Sequence, residues 1–265
     1  MVAKVAVLTI ATNNYKDYWH EMVKTLFQEV NCELVLHVAT DDLSIADGIP
    51  KRFREGNSIK VHKIPPYGWP EATLLRFKIY RDIISEITQD YICYLDADML
   101  VYGDFVKILE PDLKSNNVIL IQHPGFYRPK KLRKLKFYSS DPICLLKDLK
   151  KKILMGSLGS WETDPRSAAF VPRRMRKNYV CGGFWMGKST EIKRLISELA
   201  IQVDRDLQIN FTAKWHDESH LNQWATVNNF KLAESSFCFD ETYANLEGLE
   251  RYITAVRKNN KQKLM

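Results

Sequence analysis

Short apolar runs alternate with amphipathic segments through the first half of the chain. The runs VAVLTI, ELVLHVA, IKVHKI and YICYL have the length and the β-branched content of strands. Between them, YKDYWHEMVKTLFQEV and ATLLRFKIYRDIISEI place apolar residues three and four positions apart, as on one face of a helix. Strands that alternate with helices predict an α/β fold in which helices flank an open sheet.

The second half is less regular. The stretch from Tyr127 to about Asn178 is rich in basic residues, and we predict one helix in it, at SDPICLLKDLKKKIL, with loop elsewhere. The strand YVCGGFWMG follows; its adjacent Gly182 and Gly183 mark either a bulge or a point where a ligand approaches the backbone. STEIKRLISELAIQVDRDLQI then predicts a core-packing helix with Ser189 as its N-cap.

The loop after YICYL carries the sequence DAD. Ligands of open α/β sheets bind beyond the carboxyl ends of strands, which is where this loop lies. In an extended backbone Asp96 and Asp98 project to one side and face the same ligand, and carboxylates suit Mg²⁺ or Mn²⁺ shared with substrate phosphates. A lone DxD is also compatible with a solvated turn. The chain has neither GxGxxG nor GxxxxGK[ST], which disfavours nicotinamide chemistry and P-loop phosphoryl transfer.

Composition narrows the class of protein. A chain of 265 residues with 45% hydrophobic content can bury a sizeable core, and since it shows no linker or repeat we predict a single domain over residues 1–265. The net charge is +7, concentrated in RPKKLRKLK (Arg128 to Lys136) and RKNNKQK (Arg257 to Lys263). Such clusters attract phosphates on nucleic acid, membranes or nucleotides, although a solvated face is the alternative.

The cysteines and the apolar runs bear on location. The five cysteines, at positions 32, 93, 144, 181 and 238, form no CxxC pair, which disfavours a disulfide framework or structural zinc and predicts a cytoplasmic protein. The start, MVAKVAVLTI, is typical of a strand, and no run of eighteen apolar residues follows, so we predict no transmembrane segment. No RNP, zinc-finger or helix-turn-helix signature supports binding of nucleic acid.

The stretch WHDESHLN, from Trp215 to Asn222, places two adjacent carboxylates between two histidines. Asp217 and Glu218 repel each other, so the arrangement indicates a ligand. A zinc hydrolase is disfavoured because its glutamate directly follows the first histidine or directly precedes the second, positions held here by Asp217 and Ser219. A helix start, in which one carboxylate complements the helix dipole, remains the structural alternative.

The segments YLDADM, HPGFYR, YVCGGFWMG and WHDESHLN, in this order and at this separation, resemble glycosyltransferase family 6. This family contains the retaining histo-blood-group A and B transferases and α-1,3-galactosyltransferase. ATLLRFK and PRSAAFVP extend the similarity from about Val5 to Lys258, and a chain that starts at the first strand is similar to the short soluble microbial or viral members.

The resemblance implies a fold and an activity. The fold would be GT-A, a Rossmann-like mixed open sheet flanked by helices, with a nucleotide-binding half at about 1–125, an acceptor and catalytic half at about 126–250 and a basic tail at about 251–265. The enzyme would move N-acetylgalactosamine or galactose from a UDP-sugar to a galactose-type glycan acceptor in α-1,3 linkage. Asp96 and Asp98 would bind Mn²⁺, or Mg²⁺, at the UDP diphosphate. A UDP-sugar hydrolase with unknown acceptor and a basic nucleic-acid-binding protein are the alternatives.

The resemblance also implies residue roles on the donor side. Ile10, Ala11 and Tyr15 would lie against uracil and ribose, Arg76 would reach the sugar or phosphates, and Lys258 would bind the diphosphate. The full donor-binding set is Ile10, Ala11, Tyr15, Arg76, Ala97, Cys181, Gly182, Gly183 and Lys258. Cys181 and Gly183 occupy the two positions that sort galactose from N-acetylgalactosamine, and a glycine leaves volume for an acetamido group, which favours UDP-N-acetylgalactosamine.

Catalytic and acceptor roles follow in the same way. Glu218 would lie at the anomeric carbon, as a nucleophile or as the stabiliser of an oxocarbenium ion, since retention requires a close carboxylate. Asp217 would accept hydrogen bonds from donor-sugar hydroxyls. His123 would lie on the acceptor side, and Trp215 would stack on an acceptor sugar. The basic run from Arg128 to Lys136 would contact an anionic acceptor or a membrane surface.

Overall fold

A seven-stranded sheet forms the centre of the protein in a computed structural model that describes residues 4–53, 55–115 and 117–256. Its strands are β1 (Lys4–Ile10), β2 (Glu33–Thr40), β3 (Ser58–Lys63), β4 (Tyr91–Leu95), β6 (Val118–Gln122), β7 (Val180–Lys188) and β8 (Lys231–Ala233). The order is β3-β2-β1-β4-β7-β6-β8, and only β7 runs against the others. A second, antiparallel pair joins β5 (Met99–Val101) to β9 (Ile253–Ala255).

Helices cover both faces of the sheet and give a three-layer α/β architecture. They are α1 (Tyr15–Glu29), α2 (Glu71–Leu74), α3 (Arg76–Ile83), α4 (Phe105–Ser115), α5 (Lys131–Ser140), α6 (Pro142–Met155), α7 (Ser189–Gln208) and α8 (His216–Val227). One core cluster buries Trp19 of α1 and Phe105 of α4, and the other buries Phe77 of α3, Leu195 of α7 and Trp224 of α8. The mixed sheet between these layers is the Rossmann-like arrangement expected of a GT-A fold.

The first half agrees with its apolar pattern, apart from details at helix ends. The four strands predicted there become β1 to β4, and the first predicted helix becomes α1. The second predicted helix is interrupted at Leu75, which separates α2 from α3. The N-cap expected at Ser189 is wrong by one residue, since Ser189 is the first residue of α7 and Lys188 precedes it without a side-chain cap.

The second half is more ordered than its sequence suggests. The predicted helix is present as α6, but the loop predicted across the basic run is wrong, because this run forms α5. The segment from 157 to 178 is mostly irregular, yet it packs against its own cluster of Trp161, Val171 and Tyr179. Between Leu120 and Gln122 the β6–β7 register shifts, so the pairing is irregular at the two glycines of β7, as a bulge would make it.

Several chain segments meet at one edge of the sheet. Leu8 of β1 lies opposite Tyr94 of β4, so the loops that follow these parallel strands leave the sheet side by side. Because β7 is antiparallel, its first residues lie at this same edge, where the backbone N–H of Asp96 donates to Gly183. No helix in the described ranges has the length and apolar character needed to cross a bilayer.

Candidate functional site

A buried arginine at the start of α3 contacts three of the chain segments that meet at this edge. Arg76 is 4% exposed, and its guanidinium donates to Asp96 Oδ1 at 2.8 Å, to the Gly182 carbonyl at 2.8 Å and to Asp217 Oδ2 at 2.6 Å. Its Cζ also lies 4.1 Å from the centre of the Tyr94 ring. Burial opposes the charged form, but Asp217 and Asp96 outweigh it and raise the pKa of Arg76. One cation therefore links the DAD loop, β7 and α8.

The DAD loop is a tight turn between β4 and β5. The backbone N–H of Met99 donates to the carbonyl of Asp96 at 3.2 Å, so the extended geometry expected for Asp96 and Asp98 is wrong. The Asp96 side chain accepts from Arg76 and from the Tyr94 hydroxyl, while the Asp98 carbonyl accepts from the Val256 backbone at 2.8 Å. The turn closes immediately after the two carboxylates and leads directly into the short strand β5.

The two adjacent carboxylates lie in the first turn of α8, as the helix-start alternative predicts. Their side chains nevertheless have separate partners, since Asp217 pairs with Arg76 and Glu218 Oε2 accepts from the Gly182 backbone N–H at 2.9 Å. A Cβ on Gly182 would lie 3.1 Å from Asp217 and 3.3 Å from Arg76. The absence of a side chain at Gly182 therefore lets α8 approach β7 this closely.

Hydrogen bonds to backbone fix the position of α8. Asn222, which is buried, accepts from the Val180 N–H at 2.9 Å and donates to the Val180 carbonyl at 2.8 Å, as a neighbouring strand would. The Ser219 hydroxyl accepts from the Trp215 N–H at 2.9 Å and so closes the start of the helix. These bonds hold Glu218 against the first residues of β7.

Burial shifts the ionisation of both carboxyl groups. It raises the pKa of Glu218 to about 7, although the Gly182 N–H and the Tyr179 hydroxyl favour the charged form. Burial also raises the pKa of Asp217, against the pull of Arg76. Glu218 remains one-fifth exposed, so its carboxylate borders a space that a ligand can reach. A carboxylate that titrates near neutral pH beside a fixed cation is typical of a functional site.

His123 and Tyr179 form the wall beside Glu218. His123 Nδ1 accepts from the Gly125 N–H at 3.0 Å, which leaves the proton on Nε2, and Nε2 lies 4.0 Å from Glu218 Oε1. Burial lowers the pKa of His123 to about 4, so the ring is neutral at pH 7. The Tyr179 hydroxyl is hydrogen-bonded to the Glu218 carboxylate. Burial, and to a lesser extent this carboxylate, raises the pKa of Tyr179.

The two histidines of WHDESH do not form a metal site. His216 Nδ1 lies 3.4 Å from the Thr73 hydroxyl, whereas His220 is fully buried and contacts Gln202 and Asp206. Across residues 4–53, 55–115 and 117–256, no group of three or more His, Cys, Asp or Glu side chains is arranged to hold a metal. Any ion at Asp96 and Asp98 would need its further ligands from substrate phosphates or from water, as is common for Mg²⁺.

The other residues predicted to bind the donor lie at the same edge, apart from one outside the described residues. Ile10 ends β1, Ala11 is buried beyond it, and Tyr15 begins α1. Ala97, also buried, is in the turn between Asp96 and Asp98. Lys258 lies outside the described residues.

The two positions predicted to set donor choice, Cys181 and Gly183, face a small cluster beneath the DAD turn. A Cβ on Gly183 would lie 2.7 Å from the Met99 methyl, 3.0 Å from Asp96 Oδ2 and 3.6 Å from Cys238 Sγ. Cys181 is buried, and its thiol is hydrogen-bonded to the free thiol of Cys238. A side chain at Gly183 would therefore press on Asp96.

Trp215 lies away from this cluster of contacts. Its ring is 46% exposed, and its indole N–H donates to the Ser160 hydroxyl at 2.5 Å. The Tyr179 hydroxyl reaches the carbonyl of the same serine at 3.3 Å, so the 157–178 segment connects Trp215 to the wall beside Glu218.

The sequence analysis missed three residues that position the site: Tyr94, Tyr179 and Asn222. Each lies within or next to a motif already singled out, two residues before Asp96, at the start of YVCGG and at the end of WHDESHLN. For Tyr94 the available signal was a hydroxyl-bearing residue in an otherwise apolar strand, whereas Tyr179 and Asn222 could be singled out only by their place beside the motifs.

Comparisons with known proteins agree with the motifs. The model of the family described as Glycosyltransferase family 6 matches residues 157–264. The chain is 26% identical over 194 residues to "O-antigen biosynthesis glycosyltransferase WbnI" of Escherichia coli, which covers 72% of this chain and 70% of that protein. It is 24% identical over 245 residues to "Histo-blood group ABO system transferase 1" of Rattus norvegicus, covering 87% of this chain but only 59% of that protein. A second rat protein, "Histo-blood group ABO system transferase 2", is 22% identical over 266 residues, which covers 97% of this chain and 70% of that protein.

Proposed function

We propose that this chain is a glycosyltransferase of family 6 and that it moves N-acetylgalactosamine or galactose from a UDP-sugar to a galactose-type glycan in α-1,3 linkage, with retention. The observation that carries the proposal is that Arg76 links the predicted metal-binding turn to the two adjacent carboxylates of α8. The guanidinium joins Asp96 of the DAD turn to Asp217, and the next residue, Glu218, is a carboxylate with raised pKa. Relatives named for O-antigen biosynthesis and for the ABO system support a glycan acceptor.

The reaction requires opposite charges on the two sides of one bond. The bond from the anomeric carbon to the UDP oxygen breaks and UDP leaves with the electron pair. A bond forms from the anomeric carbon to the acceptor hydroxyl oxygen, whose proton passes to the freed diphosphate oxygen. Positive charge develops on the sugar ring, and Glu218 is the carboxylate placed to stabilise it. Both a double displacement and a front-face reaction use a carboxylate at this position. The Gly182 N–H orients Glu218, and Asp217 accepts from sugar hydroxyls.

A divalent ion fits the DAD turn if it is shared between the turn and the diphosphate of the donor. Asp96 and Asp98 are two hard oxygen donors on one turn, and Arg76 next to them offers a further cation to phosphate oxygens. When bound, Mn²⁺ or Mg²⁺ would neutralise the charge that develops on the departing diphosphate. The chain's own contribution is to hold Asp96 in place through Arg76 and Tyr94.

UDP-N-acetylgalactosamine is the favoured donor. Both positions predicted to set donor choice carry small residues: Gly183 has no side chain, in a place where a Cβ would already crowd Met99 and Asp96, and Cys181 is on the same strand. On the acceptor side, the neutral His123 can donate a hydrogen bond from Nε2 to an acceptor sugar, and the exposed ring of Trp215 offers a stacking surface.

Calorimetric titration of UDP tests the donor site. We expect binding with Mn²⁺ that weakens at least tenfold with EDTA, and equally in Asp98→Asn with Mn²⁺ present. Asp82→Asn, a change on the exposed side of α3, is the matched control and should bind as the wild type does.

Two other results would overturn parts of the proposal. Equal binding of UDP with and without the ion would remove the metal assignment, and no binding of UDP would remove the donor site. Turnover of UDP-sugar that is independent of any galactoside would favour the hydrolase alternative.

A further inference from the structure

The hairpin of α5 and α6 carries its apolar side chains on the outside of the protein. Seven leucines and isoleucines in it are between 47% and 80% exposed. They are Leu132, Leu135, Ile143, Leu146, Leu149, Ile153 and Leu154. Single exposed leucines are normal on a protein surface, but a group of seven within 23 residues of chain marks an interaction site.

The apolar residues of α6 lie on one face of the helix. Ile143, Leu146 and Ile153 fall at spacings of three and seven, which places them on one stripe. The opposite side carries Asp148, which is 5% exposed and accepts from Arg128 Nε at 2.5 Å and Nη2 at 2.6 Å. Arg128 is thus turned inward and does not share the basic surface predicted for it. This buried pair fixes which face of α6 points outward.

Exposed basic side chains accompany the apolar stripe, and Lys150, four residues after Leu146 and three before Ile153, lies within it. Lys134 and Lys136 of α5 and Lys147, Lys150 and Lys152 of α6 are all exposed. A second copy of the protein is a poor partner, because two such faces would bring like charges together. Nucleic acid is also a poor partner, because it would leave the exposed leucines without apolar contacts. A bilayer with anionic headgroups satisfies both features, since acyl chains receive the leucines and headgroups receive the lysines.

We propose that the α5–α6 hairpin is an interfacial docking surface for an anionic membrane. The helices lie in the plane of the headgroups, with the stripe of Leu135, Leu146 and Ile153 in the acyl boundary. Neither helix has the length to span the bilayer, which agrees with a peripheral contact.

The hairpin is continuous with the His123 wall of the site. Lys151 Nζ lies 4.3 Å from the centre of the Phe126 ring, and that ring lies 5.0 Å from the ring of His123. If the proposed transferase function holds, on which this consequence rests, docking places the acceptor side of the cleft beside the membrane. The acceptor class that this arrangement serves is a glycan carried on a lipid.

Sedimentation with vesicles tests the docking surface without any sugar transfer. Full-length protein is mixed with vesicles of phosphatidylcholine alone or with phosphatidylglycerol added, at low and high salt. We expect binding to the anionic vesicles, weakened by salt. Each lysine near such a surface contributes about fivefold, so Lys134→Gln/Lys136→Gln/Lys150→Gln should bind roughly a hundredfold more weakly.

The apolar variant is Leu135→Ser/Leu146→Ser/Ile153→Ser, which should also lose at least tenfold. Its control replaces three exposed apolar residues elsewhere, Ile201→Ser/Ile209→Ser/Val227→Ser, and should bind as the wild type does. The control for charge is the exposed set Lys51→Gln/Lys107→Gln/Lys177→Gln.

Three results would overturn the proposal. The first is no sedimentation with either vesicle, and the second is binding that the hairpin variants and their controls weaken equally. The third is a stable dimer in light scattering that the apolar variant converts to monomer, because the face would then bind a second copy. Failure of vesicle binding leaves calorimetric binding of UDP unaffected, so the two proposals fail separately.

Discussion

Replacing Arg76 with methionine tests whether one buried cation holds the site together. Methionine can still pack against the Tyr94 ring, but it removes the cation–π contact and the three hydrogen bonds to Asp96, Gly182 and Asp217. Asp217 is 4% exposed, so its carboxylate would remain buried without a cation. Removal of one partner of a buried ion pair costs about 3 to 5 kcal/mol.

The expected effect is large enough to measure by thermal unfolding. For a chain of this size each kcal/mol lowers Tm by about 2 to 4 °C, so Arg76→Met should lower Tm by roughly 10 °C. The double variant Arg76→Met/Asp217→Asn removes the uncompensated charge and should recover part of this loss. UDP binding, measured by calorimetry, should be lost in both variants.

Arg81→Met is the matched control on the same helix. Arg81 pairs with Asp204 at 2.7 Å, but both side chains are about one-third exposed, and surface pairs contribute about 0 to 1 kcal/mol. Its Tm should fall by no more than about 4 °C. An Arg76→Met protein that melts like Arg81→Met and still binds UDP would refute the reasoning.

The remaining predictions concern pH and donor choice. Turnover should fall as pH drops through about 7 because Glu218 becomes protonated. Tyr179→Phe should move this acidic limb to higher pH, since it removes a hydrogen bond that lowers the Glu218 pKa, and an unmoved limb would contradict the assignment. Tyr252→Phe, a change at an exposed phenol that hydrogen-bonds Glu250, is the control and should leave the pH profile unchanged. Gly183→Ala should lower the kcat/KM ratio of UDP-N-acetylgalactosamine to UDP-galactose, because its Cβ would crowd Met99 and Asp96. Gly68→Ala, which meets open space, should leave the ratio unchanged, and an unchanged ratio in Gly183→Ala would remove the selectivity argument.

Apolar periodicity was sufficient to predict the sheet and its flanking helices. Strands β1, β2 and β4 are continuous apolar runs, and helices α1 and α7 have apolar residues with a period of 3.6; packing in the core follows both patterns. Helix α5 was missed because its leucines face outward, so its pattern does not show a buried face. The helix-forming preference of its Lys, Leu and Arg residues was the signal that remained.

The site was only partly predictable, because its contacts join distant parts of the chain. Arg76 and Gly182 are 106 residues apart, and Gly182 and Glu218 are 36 apart. Motif residues could be selected from sequence, but their partners could not. The turn at Asp96 illustrates the limit, since two carboxylates at alternate positions fit an extended strand and a tight turn equally well.

The most direct test of the account is the turnover of Glu218→Gln, measured as UDP release from UDP-N-acetylgalactosamine with a galactoside acceptor. The glutamine amide oxygen can still accept from the Gly182 N–H, so the fold and UDP affinity should be retained. The account predicts that kcat falls by about 10² to 10³, while Glu191→Gln, a change at the matching first turn of α7, has wild-type activity. A Glu218→Gln enzyme within a fewfold of wild-type turnover would contradict the placement of Glu218 at the reacting carbon.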